Sequence, residues 1–227
     1  MSLKSPRNGL VWTVAFFLVF IGVVIVSRRT LFLIPVLENR YQPTPPSPGM
    51  PNFPEEGFVN NPLLTLLHIL PALLFILFGL LQFAKSIRVK YPKFHRWNGR
   101  VLLILGTIIG FSGIVMGFKM SISGVSETAA TTFFGTLFLF SLTKAFISIR
   151  QRKIDLHREW MIRAFAIGMA VTTTRPIVGI FFATSRLTGL TPQDFFGTAL
   201  WIGFTLHLIL AEVWIRRTSP ENNIKRY

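Results

Sequence analysis

Two stretches of the sequence begin and end alike: SIRVKYPKFHRW, residues 86–97, and SIRQRKIDLHREW, residues 148–160. In each, six residues separate the opening Ser-Ile-Arg from a His-Arg pair, and a Trp follows. Each stretch lies between two long apolar runs, which predicts a repeated unit in the form of a helical hairpin that crosses a bilayer twice. The alternative is that two basic loops converged on a similar composition.

Six apolar runs of 18 to 24 residues divide the chain. At about 1.5 Å per residue, each run is long enough to cross a hydrocarbon core of roughly 30 Å as a helix. The composition agrees, with a mean hydropathy of +0.52 and 15% charged residues. The predicted spans are Leu10–Ser27, Leu63–Phe83, Val101–Phe118, Thr128–Ile149, Met161–Thr184 and Phe195–Ile215.

The net charge of +15 is distributed unevenly between the loops. With a cytoplasmic amino terminus, 18 of the 24 Lys and Arg lie on the inner side, five lie outside, and Arg175 lies within a span. This is the positive-inside pattern, and it predicts that both termini are cytoplasmic. We expect a cell membrane location, the bacterial inner membrane, with the basic surface on anionic lipid headgroups. The pattern calls for no nucleic-acid partner.

The segments outside the main bundle have separate predicted roles. Residues 1–37 form a signal anchor that is retained, in which Leu31–Leu37 either lies along the interface or extends the helix. Residues 38–62 carry seven of the fourteen prolines, which predicts an extended external loop that acts as a linker or as a docking strap for a membrane protein partner. Residues 218–227 form a cytoplasmic tail.

Residues 63–217 are predicted to form the membrane bundle of an all-α protein. Its core consists of four helices in two parallel hairpin repeats, residues 63–118 and 128–184, flanked by the first helix and by the final helix, 195–215. Small residues recur at packing intervals in two of these helices, which lets helices approach closely in lipid. They are Gly106, Gly110, Gly113 and Gly117 in one, and Ala164, Gly168, Thr172 and Gly179 in the other.

Arg175 is the most informative single residue of the chain. It lies nine positions before the predicted outer end of its span, about 14 Å deep, where an unpaired guanidinium costs at least several kcal/mol. Its place on the small-residue stripe predicts that it faces protein or a water-filled cavity. We expect a polar pocket in the outer half of the bundle. In the alternative, carbonyls and the threonines at 172–174 satisfy Arg175 and lock the bundle.

Two histidines lie within the predicted spans. His68 is about 8 Å from the outer surface, within roughly one turn of the level of Arg175. It is a candidate to ligate a metal or haem iron or to carry a proton; the alternative is a hydrogen bond to a neighbouring helix. His207, near mid-span between Gly203 and Ala211, fits a packed histidine better than a ligand.

A basic cluster is predicted at the cytoplasmic mouths of two helices. Pseudo-symmetry would bring its two histidines to equal depth, and its arginines have the geometry to hold phosphates or carboxylates. As alternatives, the same residues are interface anchors, or an ion pair between helices forms among Lys144, Arg163 and Glu212, which fall near one inner level. The cluster consists of His95, Arg96, Arg100, His157, Arg158 and Arg163.

The sequence resembles a known family over roughly residues 63–180. The similarity is carried by His68, Gln82-Phe83, the motif His95–Arg100, Ser112-Gly113, the motif His157–Arg163 and Thr174-Arg175. These residues are typical of the predicted membrane proteins called domain of unknown function 2306. The resemblance implies the multi-pass topology and the choice of residues, and no activity. A weaker similarity is to membrane-embedded b-type cytochrome bundles.

Three functional hypotheses follow. The first is a haem b protein that exchanges electrons with a quinone, a membrane oxidoreductase component with His68 and His157 as iron ligands. Its cofactor-binding residues would be His68, His95, His157, His207, Arg100, Arg163 and Arg175. The second is a non-redox binding or transport protein that takes an anionic or amphiphilic ligand at Arg175. The third is a structural subunit. Zero cysteines exclude disulfides and thiolate metal sites.

Overall fold

A computed structural model describes residues 6–43 and 53–218, and within these ranges the chain is helical without any β-strand. Six helices are long and apolar enough to cross a membrane, which confirms the predicted all-α membrane protein with six spans. Residues 1–5, 44–52 and 219–227 lie outside the described ranges, so the predictions for the central part of the Pro-rich loop and for most of the tail also lie outside them. The helices are α1 (Pro6–Leu37), α2 (Glu56–Asn60), α3 (Pro62–Phe83), α4 (Lys85–Lys90), α5 (Pro92–Lys119), α6 (Val125–Arg150), α7 (Ile154–Thr188) and α8 (Pro192–Thr218).

The helices extend beyond the apolar runs that predicted them. α5 begins at Pro92, nine residues before the predicted span, because proline lacks an amide hydrogen and is tolerated in a first helical turn. α7 ends before Gly189, whose φ of 71° closes the helix in the left-handed conformation. α1 continues through Leu37, so this segment extends the helix. An apolar run therefore indicates only the part of a helix that lies within the hydrocarbon layer, and the polar turns at each end are not predicted by it.

Consecutive long helices pack on one another as antiparallel neighbours, and α7 lies at the centre of the bundle. It contacts α1, α3, α6 and α8, and its packing with α8 is the most extensive in the molecule. The final helix is therefore integral to the bundle and also packs on α6. The relation of the two hairpins as parallel repeats stays a prediction.

The two ends of the bundle differ. We call the end that carries α4 and the first turns of α5 and α7 the basic end. We call Phe53–Asn60 the strap, because it crosses the opposite end, which we call the strap end. Between the ends lies an aromatic core in which Phe75 packs edge-on against Phe138 and Phe134 stacks on Phe204, with ring centroids 5.5 and 4.7 Å apart.

The glycines of α5 allow the close approach of its neighbours. A Cβ atom at Gly106 would lie 2.5 Å from Cδ1 of Leu142 on α6, and one at Gly110 would lie 2.5 Å from Cδ2 of Leu139. Gly113 instead faces His68 on α3. The glycines of α5 thus allow close packing of both α6 and α3. Packing at this distance holds helices together in lipid, where the hydrophobic effect between them is absent.

We expect Gly106→Val to lower the free energy of unfolding by about 1–3 kcal/mol, because the added methyl groups overpack the contact with Leu142 and the adjacent phenylalanines. The measurement is thermal unfolding in mild detergent, followed by tryptophan fluorescence. Gly9→Val is the matched control, since nothing lies within 4 Å of a Cβ atom there. Equal melting temperatures for the two variants would contradict the close α5–α6 contact.

Candidate functional site

Arg175 directs its guanidinium toward the strap end. The guanidinium carbon lies 5.8 Å from the ring centroid of Phe196 on α8. Its Nε atom is buried without a hydrogen-bond partner, and no hydrogen bond or ion pair within the described residues reaches the terminal nitrogens. A guanidinium carries five N–H donors, so Arg175 presents an unmatched positive charge inside the bundle.

The threonines that precede Arg175 do not satisfy it. Thr172 and Thr174 donate their hydroxyls to backbone carbonyls about one turn earlier, at 2.7 and 3.1 Å. The hydroxyl of Thr173 lies 2.7 Å from Nε2 of His207, which accounts for that histidine as a packed contact between α7 and α8. The alternative in which threonine hydroxyls lock Arg175 is not seen.

Arg29 of α1 is a second, partly buried cation at the strap end, with its side chain 20% exposed, whereas the sequence predicts it in the outer loop. Its guanidinium carbon lies 3.9 Å from the ring centroid of Phe58, and its Nη1 atom is 3.8 Å from Oε1 of Glu55. Nη1 is buried without a hydrogen bond. Arg29 and Arg175 lie within electrostatic range of each other. The apolar segment after Arg29 is the signal that would have placed it inside the protein.

His68 lies in the same half of the bundle as Arg175 and within its electrostatic range. Its Nδ1 atom is 3.0 Å from the hydroxyl oxygen of Ser112 on α5. That hydroxyl donates to the carbonyl of Ile108 at 2.6 Å, so Nδ1 is the donor toward Ser112. Nε2 then lacks a proton and is free to accept a hydrogen bond or to bind a metal.

Glu127 is a buried carboxylate that interacts electrostatically with this site. It is 8% exposed and lies within electrostatic range of Arg175. Its Oε2 atom accepts the backbone amides of Ile122 and Ser123 at 2.6 and 2.9 Å. Glu127 therefore closes the turn between α5 and α6 and partly offsets, at a distance, the positive charge of Arg175.

The strap covers the site. The ring of Phe53 packs against Phe182 and Phe196, with centroid distances of 6.2 and 5.9 Å. Gly57 packs so closely on Met120, the residue after α5, that a Cβ atom at position 57 would lie 2.9 Å from that of Met120. Burial, together with the nearby Glu55 carboxylate, raises the pKa of the Tyr41 phenol, which donates to that carboxylate at 3.4 Å.

The basic end holds the remaining predicted site residues. His157 donates Nδ1–H to the carbonyl of Ala145 at 2.8 Å, and His95 lies within its electrostatic range. The Nδ1 atom of His95 is buried without a partner. Arg100 is exposed, whereas Arg158 donates to the hydroxyl of Thr218 at 2.6 Å.

Arg163 forms a bidentate ion pair with Glu212, with distances of 2.6 Å from Nε to Oε1 and 3.1 Å from Nη2 to Oε2. Its guanidinium also lies over the ring of Trp160 at 4.5 Å. This is the interhelical pair that the sequence offered as an alternative to ligand binding, and it joins α7 to α8.

Sequence-predicted site residues therefore divide into two groups. His68 and Arg175 lie toward the strap end, while His95, His157, Arg100 and Arg163 lie at the basic end. His95 and Ser112, the partner of His68, are 17 positions apart along α5, which is about 25 Å. Hence His68 and His157 would serve separate irons. Within the described ranges, no three His, Asp or Glu side chains converge to hold a metal ion.

Six apolar helices packed around buried charges define an integral membrane protein of the helical-bundle class. The chain belongs to the predicted membrane protein family called domain of unknown function 2306, whose sequence model matches residues 65–215. Neither a curated protein nor a solved structure matches the chain.

We expect Arg163→Gln to lower the free energy of unfolding by about 1–2 kcal/mol, because it removes a charged bidentate pair that water partly screens at Glu212. A double-mutant cycle with Glu212→Gln, read as melting temperatures in detergent, measures the coupling. Lys153→Gln, at an exposed position, controls for the loss of charge. Strictly additive effects of the two single variants would argue against the pair.

Proposed function

We propose that this protein binds a small anionic group at the strap end, between Arg29 and Arg175. The observation that carries the proposal is the guanidinium of Arg175, which has a buried Nε and no hydrogen-bond partner in the described chain. An unmatched guanidinium in a bundle interior costs several kcal/mol unless a partner or water meets it. A carboxylate or phosphate is the group that pairs with a guanidinium in bidentate geometry.

The second guanidinium strengthens this proposal. Arg29 and Arg175 repel one another, and Glu127 is committed to two backbone amides while Glu55 lies 3.8 Å from Arg29. An anion between the two arginines would replace this repulsion by two attractions. His68 adds an unprotonated Nε2, which would accept a hydrogen bond from a hydroxyl of the ligand.

The proposed orientation follows from the charges of the loops. The basic end carries most of the Lys and Arg, so we assign it to the cytoplasmic side of a bacterial inner membrane, with both termini cytoplasmic. The anion site then opens toward the outer half of the bilayer. The function is binding, or transport that begins with binding.

A second candidate function is haem b ligation at the basic end. His157 donates Nδ1–H to the carbonyl of Ala145, a hydrogen bond that orients the ring so that Nε2 can bind a metal, and His95 is close enough to interact with it. Haem would supply one-electron transfer. Arg163 is already paired with Glu212, so of the two predicted cofactor-binding arginines at this end the exposed Arg100 is the one available to a propionate.

We expect Arg175→Gln to abolish anion binding and to retain the fold, because a neutral amide is cheaper to bury and cannot form the ionic pair. Binding is measured by calorimetry and by thermal shift in detergent with two probes, inorganic phosphate and a long-chain fatty acid. Arg29→Gln should weaken binding about tenfold or more.

Arg28→Gln is the matched control, since Arg28 is an exposed neighbour on α1. Failure of both probes to bind the wild-type protein would refute the anion site.

For the haem candidate, we expect protein expressed with a haem supply to show a Soret band that His157→Ala removes. His207→Ala should keep the band, because Thr173 occupies its Nε2. The visible spectrum before and after dithionite is the measurement. A folded, colourless wild-type protein rules the haem candidate out.

A further inference from the structure

We infer that the ligand of the Arg29–Arg175 site is a single-chain amphiphile with an anionic headgroup, and that it reaches the site sideways from the bilayer. The inference rests on the proposed anion site and names its substrate class. It follows from three features of the strap end: the strap above the site, an opening on its bilayer side, and the level at which that opening lies.

The strap closes the direct route from water. The ring of Phe53 contacts Phe196 beside Arg175, and its centroid lies 5.9 Å from the guanidinium carbon of Arg29, so this ring borders both guanidiniums. Glu55 joins the strap to Arg29 of α1, and Gly57 packs on Met120 at the end of α5. A water-soluble anion would have to displace this aromatic cover to reach either guanidinium.

The bilayer side is open at the same place. α1 and α8 both pack on α7, yet within the described residues they make little or no contact with each other. Between them α7 exposes Pro176, Gly179, Ile180 and Ala183 to lipid, positions that share one helical face. A Cβ atom at Gly179 would meet nothing within 4 Å, so no described residue covers this face at Gly179.

The opening and the two guanidiniums share one level in the membrane. Gly22 on α1 packs against Thr172 on α7. Seven residues further along each helix are Arg29 and Gly179, which therefore lie at similar height. The contact of Arg175 with Phe196 brings its guanidinium toward this level as well.

This arrangement matches the charge and shape of an amphiphile. The headgroup would enter beside Gly179 and meet the two arginines, while the acyl chain would stay in lipid against the exposed face of α7. No apolar cavity is needed for the chain, since the bilayer itself solvates it. A single chain fits because one helix face borders the opening.

The test uses photolabelling in lipid nanodiscs with a fatty acid that carries a diazirine on its chain. The matched probe is the fatty alcohol of the same length, which lacks the charge. We expect the acid to label residues 176–183 of α7 and the facing parts of α1 and α8 saturably, and the alcohol to label exposed faces without saturation. Mass spectrometry of peptides locates the adducts.

Two glycine variants separate the opening from the anion site. Gly179→Leu places a side chain in the open space beside Gly179 and keeps both arginines in the chain, and we expect it to reduce saturable labelling about tenfold or more. Gly9→Leu, also at an open glycine of a membrane helix, should leave labelling unchanged. Arg175→Gln should remove the saturable component.

The outcomes distinguish the two proposals. If millimolar inorganic phosphate displaces the fatty acid fully and Gly179→Leu labels like wild type, the site is open to water; the amphiphile inference is then overturned while the anion site stands. If neither phosphate nor the fatty acid binds saturably, the proposed function itself fails. Saturable labelling that Gly179→Leu and Arg175→Gln both remove supports both proposals.

Discussion

The bundle depends on one constraint, that helices in lipid are held together by close packing and not by the exclusion of water. Glycines of α5 bring α6 within direct backbone reach, and Gly203 of α8 does the same against Thr174 of α7. These approaches leave little room for large polar side chains between the helices. Charged groups are consequently found at the two ends of the bundle, where helices separate.

The two ends of the bundle differ in whether their charged side chains are paired. At the basic end, Arg163 and Glu212 neutralise each other in a bidentate pair, and Arg158 has a hydroxyl acceptor. At the strap end, Arg29 and Arg175 stay incompletely matched, because the Nη1 atom of Arg29 and the Nε atom of Arg175 are buried without a hydrogen-bond partner. A bundle that only needed stability would have an apolar side chain at Arg175, which is why this end carries the functional proposal.

Much of the fold was predictable because lipid imposes a simple rule on sequence. Six apolar runs gave the six spans, and Arg175 and His68 were placed in one half of the bundle by counting residues along helices. The sequence did not predict a place for Arg29 inside the bundle, because two adjacent arginines, Arg28 and Arg29, indicate the end of a span. In the structure, α1 continues for two more turns through Leu37. The positions of the strap and of the buried Glu127 depend on tertiary contacts between distant segments, such as that of Phe53 with Phe182. Local sequence patterns do not predict such contacts. Helix starts were also missed, since His95 and His157 belong to polar first turns that hydropathy does not mark.

The position of Arg29 has a consequence for how the strap behaves. The same guanidinium faces Glu55 of the strap and the centre of the proposed site. An anion that draws Arg29 away from Glu55 weakens the docking of the strap, and thermodynamic linkage requires that a docked strap weaken anion affinity by the same factor. Occupancy of the site and closure of its cover are thus reciprocally coupled through one side chain.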